Sequence, residues 1–169
     1  MDGMKSVLVA IGVVVLLAMM GGAGCAVAKG RDKPKYLTLF AYNYTDRGIL
    51  NVRVDGIWMG GVSAYTNGKS AMGPRPPSNR KRQHTIKVDW EISASYYDLK
   101  TNKYVDDGQL VRKQAVVPLK FPYPSDPNML LLHFYPDGHV EAELVGKQQN
   151  HWKMRRFPIP EGHKAHGRN

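Results

Sequence analysis

The sequence predicts an all-β fold: a single β-sandwich-like domain of antiparallel strands behind an N-terminal export segment. Three observations predict it. Thr85–Ser93 keeps a strict period of two, with Ile86, Val88, Trp90 and Ile92 on one face and Lys87, Asp89, Glu91 and Ser93 on the other. An amphipathic helix cannot hold that pattern. Other short apolar runs are separated by turn residues at short intervals, and no segment after Cys25 has a helical apolar face.

Met1–Ser6 carries Lys5, and Val7–Met20 is a 14-residue apolar run. Its length suits a signal-peptide core and falls short of the ~20 residues a spanning helix needs. Asp2 is out of place before such a core, which leaves Met4 as an alternative start. Gly21-Gly22-Ala23-Gly24 supplies the small residues a signal peptidase requires, and Cys25 follows at once. The junction resembles a bacterial lipobox, although Gly22 stands where that pattern prefers Leu. The resemblance implies that the Cys25 thiol is acylated, with palmitate-type chains, and becomes the first residue of a lipoprotein. The alternatives are a plain secretory peptide cut near Ala23 and an uncleaved anchor; the glycines disfavour the latter. Cys25 is the only cysteine, so no internal disulfide is open to it. Acylation would also remove a lone thiol from an oxidising compartment.

The expected organisation is a signal peptide over 1–24, a lipidated Cys and basic tether over 25–35, a sandwich-like domain over 36–157, and a flexible basic tail over 158–169. The remaining ~145 residues suffice for one core without staples. With 24 Lys and Arg against 14 Asp and Glu, the chain has a net charge of +10. That excess favours anionic partners: lipid head groups, an acidic protein surface or nucleic acid. Export argues against nucleic acid. In the tether, Lys29, Arg31, Lys33 and Lys35 suit either anionic head groups or an extended solvated linker.

Tyr36–Tyr42 is apolar on both alternating faces, as in a central strand. Asn43–Gly48 is turn chemistry. Leu50, Val52 and Val54 alternate with Asn51, Arg53 and Asp55, a half-buried strand closed by Asp55-Gly56. Ile57–Val62 sets Trp58 beside paired glycines, as at a strand end. Asn67–His84 is read as one long irregular segment holding Arg75, Arg80, Lys81 and Arg82. Tyr96, Tyr97 and Leu99 prolong the Thr85 strand, and Tyr104-Val105 pairs back after the turn Lys100–Lys103. Gln114–Leu119 is a strand that Pro118 places at an edge or strand end, and Phe121–Asn128 is a stiff connector.

Met129–Val145 reads as a hairpin whose register can be derived. A three-residue loop, Pro136-Asp137-Gly138 with Gly138 left-handed, opposes Phe134 to Val140, Leu132 to Ala142 and Leu130 to Leu144, one apolar face. The other face pairs His133 with Glu141 and Leu131 with Glu143, and is expected to meet solvent. Beyond Gly146 the chain is polar and basic; Trp152 and Phe157 are its candidates for docking onto the sheet, and His163–Asn169 is expected to fray.

No nucleophile elbow, zincin motif, phosphate loop or dinucleotide fingerprint occurs. The six His are scattered, and His163 with His166 offers adventitious metal binding at most. Asp106-Asp107-Gly108 reads as a turn, since a calcium loop needs more carboxylates. His133–Glu141 reads as a cross-strand pair rather than a general base. The expectation is a protein that is no enzyme and uses no metal or cofactor.

The residues Asn43-Tyr44-Thr45-Asp46-Arg47, then Val54-Asp55-Gly56 and Trp58–Val62, resemble a family of small bacterial lipoproteins, domain of unknown function 3304. The basic proline-containing loop, Val88-Asp89-Trp90, Ala115–Pro118 and His133–Val140 extend the resemblance over most of residues 36–145. Ser70-Ala71-Met72-Gly73 stands where the family pattern has a cysteine pair. Some members are encoded beside type VI secretion effectors, including lipases. The resemblance therefore implies a periplasm-facing, lipid-anchored immunity protein that binds and blocks a cognate toxin, and the net charge of +10 would suit an acidic effector. Arg75, Arg80, Lys81 and Arg82, with Trp58, are the candidate contacts; the alternative for the basic run is a solvated loop. The alternative is a structural or assembly lipoprotein of the envelope that binds anionic lipid or a secretion apparatus. Ala26, in place of the Asp that retains some lipoproteins at the inner membrane, favours the outer membrane.

Overall fold

The computed structural model describes residues 36–163, and for Lys69 and Ser70 the backbone alone. The expected signal peptide, Cys25 and its tether, and the last six residues lie outside the described residues. Nine strands follow in order: β1 (Thr38–Asn43), β2 (Arg47–Val54), β3 (Ile57–Val62), β4 (Asn67–Met72), β5 (Thr85–Asp98), β6 (Lys103–Asp106), β7 (Val111–Lys120), β8 (Pro127–Phe134) and β9 (Val140–Gly146). One 3-10 turn, His151–Met154, follows β9.

The strands form a sheet ordered β3-β2-β5-β7-β9-β8-β1-β4, with β6 paired to β5 beside β7. The sheet curls until its end strands β3 and β4 lie side by side. The all-β expectation holds, and most pairings are antiparallel. Two are parallel, β1 with β8 and β7 with β9. β7 is the strand that changes layers, pairing with β5 along Val111–Pro118 and with β9 only at Leu119 and Lys120. Between the layers lies one core to which Leu39, Val52, Val88, Trp90, Leu119, Leu132, Phe134 and Leu144 contribute.

The β8–β9 hairpin has the expected register: Phe134 faces Val140, Leu132 faces Ala142 and Leu130 faces Leu144. Gly138 is left-handed at φ 86°, and the Tyr135 N–H reaches the His139 carbonyl at 3.1 Å. Asp55 and Gly56 both have positive φ, which makes the β2–β3 connection a two-residue turn matched to strand twist.

Three expectations need correction. Asn67–Met72 is a strand, although Asn67-Gly68 reads as a turn; the turn is made earlier, with Tyr65 at positive φ, and β4 then pairs with β1. Gly68 permits this, because a Cβ there would meet Val62 and the Gly61 carbonyl at 3.4 Å. In β2, Leu50 points out and Ile49 takes the inner face. Asn51 causes it: its left-handed φ of 50° inserts a bulge between Leu50 and Arg53, while its amide donates to Glu91 at 2.6 Å. The second face of the β8–β9 hairpin is buried rather than solvated, with His133 at 0 % exposure and Leu131 and Glu143 buried beside it. The segment after β9 covers it.

Two glycines separate conformational strain from steric strain. Nothing stands within 4 Å of a Cβ at Gly138, so Gly138→Ala should cost only the left-handed penalty, about 1 kcal/mol. At Gly73 a Cβ would sit 2.6 Å from Leu39 Cγ, and Gly73→Ala should cost about 1–3 kcal/mol by overpacking. Urea unfolding midpoints compare the two; equal losses would contradict the packing described at Leu39.

Candidate functional site

The segment Asn43–Arg47 crosses from β1 to β2, and its side chains build the crossing. Asn43 is buried; its amide donates to the carbonyls of Arg47 at 2.6 Å and Ser63 at 3.0 Å. Its Oδ1 accepts from the Thr45 N–H and hydroxyl at 2.9 and 2.8 Å. The short polar side chain, itself buried, thus satisfies backbone groups of a half-exposed turn. Arg47 extends across β5, donating to the carbonyls of Ser93 and Ala94 at 3.1 Å and gripping Asp107 with both terminal nitrogens. The Arg47 guanidinium holds the Asp107 carboxyl below the usual range. Asp55 accepts from the Lys87 N–H at 2.8 Å, beside Gly56 in its turn.

Tyr44, the remaining motif residue apart from Asp46, points to the outer face and joins a buried polar chain. Its hydroxyl accepts from the Arg156 N–H at 2.8 Å and lies 2.7 Å from His133 Nδ1. The Glu143 carboxylate can only accept, which puts a proton on His133 Nε2. Nε2 lies 2.9 Å from Glu143 Oε1, which also accepts from Arg156 Nη2 at 2.8 Å. The predicted His133–Glu141 opposition is present in the register, but His133 bonds the diagonal carboxylate, Glu143. Glu141 instead accepts from the Tyr135 hydroxyl at 3.0 Å.

Burial pushes the Glu143 carboxyl up, but the His133 hydrogen bond and the charges of Arg156 and Lys120 outweigh it, leaving it below the ordinary glutamate range. Burial raises the Tyr44 phenol to about 12. Arg155 spreads over the rings of Tyr42 and Tyr44 at 5.6 and 5.4 Å and donates to the Tyr65 carbonyl at 2.8 Å. Phe157 meets Tyr44 and Tyr135 edge-on, and Trp152 meets Phe40, so both expected anchors reach the sheet while staying half exposed. Further on, His163 stands against the ring of Tyr97 at 4.7 Å. This arrangement fastens residues 151–157 across β1, β8 and β9.

A cleft of about 350 Å³ opens on the other side of the hairpin. It exists because β7 pairs with β9 only at its last two residues, so the layers part toward Val111. Ile49, Trp90, Ile92, Val111 and Phe134 line it, with Asp46, Arg47, Lys113 and His139 also in its wall. Among the described residues, no group of three or more His, Cys, Asp or Glu is placed to hold a metal ion.

The predicted contact residues do not gather in one place. Trp58 lies on β3 with 58 % of its surface exposed. Arg75 stands over the Tyr36 ring at 5.6 Å, and Arg80 donates to the Ser125 carbonyl in the β7–β8 connector. Lys81 and Arg82 are exposed. The sequence reading missed Glu143, Arg155 and Arg156. The available signal was Leu131 and Val145, apolar residues on the face expected to be wet.

Fold and site together define an all-β, sandwich-like domain whose buried polar groups tie a C-terminal segment to the sheet. The chain belongs to the family described as Protein of unknown function (DUF3304), which matches residues 42–142. No curated protein and no solved structure matches it.

The depressed Glu143 pKa has a definite sign. Its contribution is complete above the unfolded glutamate value of about 4.3 and is lost as pH falls through the lower folded value. Glu143→Gln should cost about 2 kcal/mol at neutral pH and remove this part of the acid destabilisation. Tyr44→Phe strands the Arg156 N–H and should cost about 1–3 kcal/mol. Urea midpoints measured from pH 7 to pH 3 test both; an unchanged acid limb in Glu143→Gln would exclude the carboxylate as its source.

Proposed function

We propose that this protein is a non-enzymatic lipoprotein of the bacterial envelope, facing the periplasm, that binds a protein partner. More narrowly, it is an immunity protein that neutralises a lipase-type effector of type VI secretion. The observation behind this reading is the use made of the ionisable groups the fold buries. His133, Glu143 and Tyr44 are engaged with one another and with residue 156, and none of the three lines the cleft. They stiffen a surface instead of facing a substrate. An inhibitor needs such a surface, a position at the membrane under attack, and charge that speeds capture. The net charge of +10 and the exposed Trp58, Lys81 and Arg82 suit an acidic partner.

Two measurements test this. Intact mass of the membrane-extracted protein should correspond to loss of residues 1–24 plus acyl chains on Cys25; a free Cys25 thiol would refute the anchor. A lipase effector encoded beside the gene should bind at micromolar concentration or tighter and lose its toxicity. Failure to bind would end the inhibitor reading, and tight association with anionic vesicles alone would favour an assembly role.

A further inference from the structure

We propose that the open outer edge of β7, from Val111 to Val117, receives an extended acidic segment of a protein partner as an added strand. One apolar side chain of that segment enters the adjoining cleft. The inference rests on the protein-binding reading above and names the surface that performs it.

The edge is unusual in being long, regular and uncovered. β7 runs beside β5 from Ile92↔Val111 to Thr85↔Pro118 without a bulge, and no strand among the described residues pairs with its other side before Leu119. The Leu119 N–H donates to the His84 carbonyl at 2.8 Å, which fixes the phase of the ladder. By antiparallel alternation, Val111, Lys113, Ala115 and Val117 bond toward β5, while Arg112, Gln114 and Val116 direct their N–H and C=O groups outward. Pro118 falls on the non-bonded phase, so its missing N–H costs no ladder bond and marks where the usable edge stops. Val116 is 66 % exposed.

Folded proteins usually blunt such an edge with bulges, proline or cover, because it templates strand addition. Here charge is the remaining guard. β7 carries Arg112, Lys113 and Lys120 and no acidic residue. Arg112 is matched by Glu91 across the ladder at 2.9 Å, whereas Lys113 has no ion-pair partner among the described residues. Two copies of this edge would bring together four cations, Arg112 and Lys113 from each, while an acidic strand would meet complementary charge. The inner side of the same edge borders the 350 Å³ cleft, where Trp90, Phe134 and Val111 offer apolar contact. Strand addition draws affinity from main-chain bonds and selectivity from pockets that take alternate side chains; both elements are present.

The probe is a capped hexapeptide, Glu-Val-Glu-Phe-Glu-Val, added to the full-length protein in detergent and followed by backbone amide exchange. Binding should slow exchange at Arg112, Gln114 and Val116 together. The lysine-for-glutamate peptide, and the Val116→Pro and Lys113→Glu variants, should each bind about tenfold more weakly. Lys113→Glu changes an exposed side chain and serves if Val116→Pro fails to fold. No protection at millimolar peptide, or protection that rises with protein concentration when peptide is absent, overturns the proposal; the second result means another copy covers the edge. Capture of the neighbouring effector separates the two levels. Undiminished capture by both variants refutes the edge and leaves the inhibitor reading standing. No capture by the wild type removes that reading, while peptide protection would still support the edge.

Discussion

The β8–β9 hairpin is the constraint on which the rest of the molecule depends. Its loop fixes a register that sends Leu130, Leu132, Phe134, Ala142 and Leu144 into the core between the layers. The same register sends Leu131, His133, Glu143 and Val145 to the opposite side, where a second apolar cluster forms with Phe40, Tyr42 and Tyr44. A slip of one residue would exchange the two sets and place a glutamate and a histidine in the main core. The hairpin is therefore buried on both faces, and the covering of its second face is part of the fold.

That covering explains why the polar groups are so tightly engaged. A buried carboxylate is tolerated only when cations and donors surround it, and Glu143 has His133 and Arg156 in contact, with Lys120 at 4.0 Å. The motif at Asn43–Arg47 does related work at the β1–β2 crossing, where one asparagine side chain satisfies strands that cannot pair with each other. In both places polar chemistry specifies geometry. Among the described residues, the Val111–Val117 edge of β7 presents outward a stretch that carries cations and no acidic residue.

Much of this was legible in the sequence because a period of two and a three-residue loop leave little freedom. Thr85–Ser93 and the hairpin register are of this kind. β4 was hidden because Asn67-Gly68 has turn chemistry, and only the partner strand β1 decides that the pair is extended. The inversion of Leu50 was hidden for a similar reason: a single left-handed Asn51 breaks an alternation that otherwise looks perfect. The Glu143 network was legible only in part: Leu131 and Val145 mark its face as covered, but Arg155 and Arg156 come from a segment without strand or helix periodicity. The cleft and the open edge follow from how far β7 runs beside β9, a long-range pairing that no window of sequence reports.

The position of β1 has a mechanical consequence. It is an interior strand, antiparallel to β4 and parallel to β8 over all six of its residues. The chain enters it from the N-terminal side, so tension directed along that entry loads both ladders in shear, with their hydrogen bonds sharing the force. An end strand peeled sideways would give up its bonds one at a time. Held by its leading end, this domain is built to resist being pulled apart.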